Sequence, residues 1–247
     1  MDLSLHKPGP TRKRGETKLK IKRNIRIETH ALKMLLLGIL SCKCPVTLET
    51  EKRLFAHYFE HCDSPVQDYE PVLAICDENG QKTPFHNLFE FCASNRDDPG
   101  HFTIAANDVL RFLGSFFHYN MVLSNHPDIL VENPELLASH MLVPVSLVQK
   151  GETICGIYQN SRILLEFTPV IQVDTEPKDQ DFYALHMGLV LGRIDTEQAA
   201  MLKEHQLFLN GFSDAVLPLK QIHLTRLAPY GDHAALTRER VQRYFTV

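Results

Sequence analysis

Between Lys18 and Leu40 the hydrophobic period changes from two to about 3.6 residues, which restricts this segment to a strand running into a helix. Even positions hold Lys18, Lys20, Lys22, Asn24 and Arg26, whereas odd positions hold Leu19, Ile21, Arg23, Ile25 and Ile27. Only Arg23 breaks the alternation, so Lys18–Ile27 is predicted to be a strand with one apolar and one basic face. Leu32, Leu35, Leu36, Ile39 and Leu40 then recur at helical spacing, predicting an amphipathic helix that opens near Glu28 and Thr29. Past Gly38, Ser41 and Pro45, Thr47 is the natural N-cap of a second helix carrying Leu48, Leu54, Phe55, Tyr58, Phe59 and Cys62. A lone strand must find a hydrogen-bonding partner, and no neighbouring segment offers an obvious one. A second copy of the chain is the expected partner.

Charge divides unevenly along the 247 residues. Nine Lys/Arg against Asp2 and Glu16 give residues 1–26 a net of +7, while the rest of the chain carries −11. The arm proper, residues 1–17, interleaves Arg12, Lys13 and Arg14 with Pro8, Gly9, Pro10 and Gly15, a flexible composition. A basic arm on an acidic body meets a polyanion, whether nucleic acid, membrane surface or acidic protein. With 44% hydrophobic residues the chain can bury a core, and no uncharged apolar run reaches the roughly 20 residues of a bilayer crossing. Ala31–Leu40 is interrupted by Lys33 and is read as a buried helix rather than a signal segment. Six cysteines are too sparse for a disulfide scaffold, so reduced thiols in a cytoplasmic protein are expected.

Beyond residue 62 the pattern is α+β without internal repeats. Helices are predicted over Pro84–Cys92, Thr103–Asn120, Asp179–Gly192, Thr196–Leu209 and Leu236–Phe245, the fourth opening at an Asp195–Gln198 capping signal. Strands are predicted over Leu142–Val148, Thr153–Tyr158, Ile163–Val173 and Leu219–Leu227, with a turn at Gln159–Ser161. The expected organisation is thus an arm (1–17), a strand-helix-helix domain (18–62) and an α+β body (63–247) for partner contacts.

Lys18–Ile27, Glu28–Leu40 and Thr47–Cys62 together resemble a ribbon-helix-helix domain. That resemblance implies a homodimer whose paired strands enter the major groove of double-stranded DNA. Lys22, Asn24 and Arg26 would then read bases, Lys20 would lie near phosphate, and Thr47 would cap a helix that holds a phosphate. The loop Ser41–Val46 is longer than that family's usual turn. Over a wider span, Ile25–Leu37, Leu185–Leu202 and Leu219–Leu227 resemble the AcaB-type activators of conjugative plasmids and integrative elements. The target implied is a promoter of conjugative-transfer genes.

Other chemistries are weaker. Cys42-x-Cys44 with His57-x₃-His61 approaches a two-Cys, two-His zinc site, but the cysteine spacing is too short. Asp174, Glu176, Asp179 and Asp181 form an acidic cluster that reads as a solvated turn rather than a nuclease centre. Arg238, Arg240 and Arg243 offer a phosphate contact or, more simply, a solvated helical face. The expectation is a non-enzymatic, cofactor-free transcriptional regulator bound to DNA through Lys20, Lys22, Asn24, Arg26 and Thr47, with Arg12, Lys13 and Arg14 on phosphates. The competing class is an adaptor of a transfer or secretion assembly that docks through the same arm.

Overall fold

The structure, a computed structural model, describes residues 24–42, 46–78, 80, 82–115, 118, 140, 142–159, 164–171, 181–205 and 231–245. Its fold is α+β with two sheets. The arm, Lys18–Arg23 and the strand expected over Leu219–Leu227 lie outside the described residues.

The first strand, β1 (Asn24–Glu28), alternates as its sequence predicts, burying Ile25 and Ile27 and exposing Asn24 and Arg26. Its partners come from its own chain. On one edge it pairs antiparallel with β2 (Val66–Asp68), and on the other it runs parallel to β3 (His101–Ile104). Arg26 and Ile27 are therefore paired on both edges. The sequence could not reveal this, because β2 and β3 are only three and four residues long and lie beyond intervening helices.

Helix α1 (Thr29–Ser41) corrects the amphipathic reading. Eleven of its 13 residues are buried, including Thr29, Gly38 and Ser41 on what should be the polar side. A helix buried nearly all round belongs inside a core. Around it pack α2 (Leu48–His61), α5 (Ala106–Leu113), the last helix (Gly231–Tyr244) and β8 (Leu189–Ile194). Between α2 and α5 the chain also forms α3 (Glu70–Asp77) and α4 (Pro84–Ser94). Thr47 caps α2 as expected, its hydroxyl accepting from the Thr50 N–H at 3.2 Å.

The second sheet is antiparallel, in the order β6-β5-β4-β7-β8, with β4 at Val143–Lys150, β5 at Thr153–Gln159, β6 at Leu164–Phe167 and β7 at Phe182–His186. The helix expected over Asp179–Gly192 is instead the β7–β8 hairpin, turning at Met187 and Gly188 with φ of 48° and 79°. Both faces of this hairpin are covered, so its apolar run is continuous and carries no period of two. Gly192 makes the covering possible: a Cβ there would lie 3.1 Å from His30 Cε1 on α1. The helix expected over Thr103–Asn120 is shortened at its start, because Thr103 belongs to β3. A helix at 196–205, here α6, has the expected capping box, Asp195 and Gln198 exchanging bonds of 2.7 and 3.0 Å. The helix over Gly231–Tyr244 is α7.

One apolar core runs from Ile25 and α1 through Phe85, Leu110, Leu189 and Leu202 to Val241. That core includes residues on both sides of residue 62. Removing residues 63–247 would strip α1 of most of what buries it.

Candidate nucleic-acid interface and a buried histidine cluster

The outward face of the β2-β1-β3 sheet is set by register. Asn24 stands opposite His101, and Arg26 stands between Thr103 on one side and Asp68 on the other. All five are exposed, while Ile25, Ile27 and Ile104 point into the core. His101 and Thr103 join the two expected reading residues without any signal in the sequence near them. Their alignment comes from parallel pairing across distant segments.

The face is polar rather than strongly basic. Asp98 sits 3.1 Å from the His101 ring and accepts the Gly100 N–H at 2.9 Å; that backbone bond first, then His101, hold its carboxyl below the usual range. Glu28, at the end of β1, accepts the Ala106 N–H at 2.9 Å and so caps α5. Any strong positive field must come from residues 1–23 leading into β1. Lys20, Lys22, Arg12, Lys13 and Arg14 all lie in that stretch, outside the described residues. Thr47 is exposed, but the first turn of its helix carries Glu49 and Glu51, charges that oppose a phosphate.

Among the described residues, Cys42, His57 and His61 do not form a group that could hold a metal ion. Cys42 is buried beside His186, while the His57 and His61 rings lie 4.5 Å apart on α2, tilted by 36°. Cys44 lies outside the described residues. Of the acidic cluster only Asp181 is described, and it pairs with Arg193 at 3.1 Å. Arg240 is not a surface phosphate contact. It donates to the Leu40 and Cys42 carbonyls at 2.7 and 2.9 Å and pairs with the buried Glu51, which also accepts from Tyr244 at 2.8 Å.

Where α1 ends, three histidines meet in the core. His118, His140 and His186 are 3%, 8% and 0% exposed, with the His186 ring 5.9 Å from that of His118 and 5.8 Å from that of His140. Ser41 Oγ donates to the Gly38 carbonyl at 2.8 Å and lies 2.7 Å from His186 Nδ1. Cys42 Sγ lies 3.7 and 3.8 Å from the two ring nitrogens. Both nitrogens of His118 are buried without a hydrogen-bond partner among the described residues, and burial first, then the proximity of His140, push its pKa down to about 3.

No protein-family model, curated protein or solved structure matches this chain. Among the described residues, no helix is long and apolar enough to cross a membrane.

Proposed function

We propose that this protein is a sequence-specific DNA-binding transcriptional regulator that touches double-stranded DNA with its basic N-terminal arm and the outward face of the β2-β1-β3 sheet. The observation that carries the reading is the joining of the two. Residues 1–23, with a net charge of +6, lead directly into a strand whose exposed positions are Asn24 and Arg26. Arm charges bind phosphates and release counterions, while Arg and Asn have the donor and acceptor geometry for guanine and adenine edges.

The size of the face is compatible with a groove. Three strands spaced about 4.8 Å apart put the outer axes roughly 10 Å from each other, against a major groove about 12 Å wide. Asn24, Arg26, His101 and Thr103 are the base-facing group in this arrangement, and Lys20, Lys22, Arg12, Lys13 and Arg14 are the phosphate group. The two-chain ribbon of a ribbon-helix-helix protein is not part of the proposal, since both edges of β1 are filled. The resemblance to AcaB-type activators makes promoters of conjugative-transfer genes the first targets to examine.

The test is footprinting of the tagged full-length chain across its genome, followed by binding to the recovered duplex and a scrambled one across a salt series. Protection of a recurring sequence with steep salt dependence supports the reading. Failure to prefer any duplex would return the arm to the adaptor role, with an acidic protein surface as its partner.

A further inference from the structure

We propose that His118, packed between α5 and the neighbouring His140 and His186, is a proton-operated latch: in mild acid its ring takes a proton from solvent and the junction of α1, α5 and β7 opens. The latch is independent of how the arm meets DNA.

The packing around the ring carries this. His118 is 3% exposed, and neither ring nitrogen has a hydrogen-bond partner among the described residues. From α5, Phe112 meets the ring edge-on at 5.6 Å, and from β7 the His186 ring lies 5.9 Å away. His186 in turn contacts Ser41 and Cys42 at the end of α1. His140 is near enough to oppose a proton on His118. From α6, His205 comes against Gly114, four residues before His118, with Arg111 and Glu204 beside it. Among the described residues no carboxylate pairs with His118, so a proton there would put an uncompensated charge in the core. An apolar ring would fill the same space without stranding two polar atoms. What a histidine adds is a base that titrates near neutral pH.

The direction of the response follows from linkage. Burial first, then His140, push the pKa of the closed form down to about 3, whereas a hydrated ring returns to its ordinary 6.5. Above pH 6.5 neither form takes the proton, and acid has no hold on the latch. Below it only the open form is protonated, so opening is favoured progressively as the pH falls towards 3. One proton linked in this way makes opening about tenfold more frequent at pH 5.5 than at pH 7.5.

The test is amide hydrogen exchange of the full-length chain at pH 7.5 and 5.5, corrected for the intrinsic pH dependence of exchange. Peptides covering α5, the end of α1 and β7 should lose about tenfold in protection at the lower pH, and those covering α3 and α4 much less. His118→Phe and His118→Gln remove the titrating ring and should show equal protection at both pH values. His57→Ala, on α2, should keep the wild-type response. Wild type with unchanged protection in the three segments would overturn the proposal, as would an acid response that persists in His118→Phe or His118→Gln. If neither variant folds, the place of the wild-type response decides. Loss confined to α5, α1 and β7 supports the latch, and loss spread evenly into α3 and α4 overturns it.

Discussion

Arg240, in the last helix, closes on the carboxylate of Glu51, 189 residues earlier in the chain. Glu51 is nearly fully buried, and the same guanidinium satisfies the final carbonyls of α1. Phe55 and Tyr244 stack alongside at 3.9 Å, so α7 is held to α1 and α2 by a charge clasp and an aromatic pair. Removing Arg240 leaves Glu51 with Tyr244 at 2.8 Å and Arg243 at 3.7 Å, so the loss falls toward the lower end of the about 3–5 kcal/mol typical of a broken buried pair. Arg240→Ala is expected to lose stability on that scale in urea unfolding. Replacing both residues, as Glu51→Met with Arg240→Met, should recover a large part of it. A double variant no more stable than Arg240→Ala would mean the capping of α1, and not the ion pair, holds α7 in place.

The polar sheet face makes a prediction about affinity and specificity. Asn24→Ala should cost about 1–3 kcal/mol on the preferred duplex and leave a scrambled one nearly unchanged. Lys13→Ala should weaken both duplexes and lower the log–log salt slope by about 0.9. Asp68→Asn removes a negative charge beside Arg26 and should tighten both alike. Weaker binding by Asp68→Asn would show that this carboxylate contacts the DNA or a bridging group.

Phe167 lies across Gly156 on the neighbouring strand, where a Cβ would come within 2.4 Å of the ring. Gly156→Ala must displace that ring, and overpacking of this kind costs about 1–3 kcal/mol. The same substitution placed in Phe167→Ala should cost much less. Equal costs in the two backgrounds, measured by a double-mutant cycle, would place the strain elsewhere.

Thiol reactivity should follow burial. Burial pushes the Cys76 thiol up to about 11 and the Cys92 thiol up to about 12, so both stay protonated at pH 8. Only the thiolate attacks an alkylating agent, and Cys62 is exposed. Mass spectrometry of the native chain is expected to find Cys62 labelled well before the other two. Comparable labelling of Cys76 or Cys92 without denaturant would show that α3 and α4 open far more often than their packing implies.

The sequence by itself determined the elements whose pattern is local. The alternation at Asn24–Ile27, the cap at Thr47, the capping box at Asp195 and the α+β class are set by side chains a few residues apart, and each is present in the structure. Tertiary structure decided everything that depended on what covers a surface. β1 is a central strand because two short distant strands fill its edges, and α1 is a core helix because other elements close over its polar side. The β7–β8 hairpin resembled a helix because burial on both faces erases the period that distinguishes the two. His118, His140, His186 and Cys42 share no spacing at all. Only the tertiary fold brings them together, so no motif in the chain could announce them.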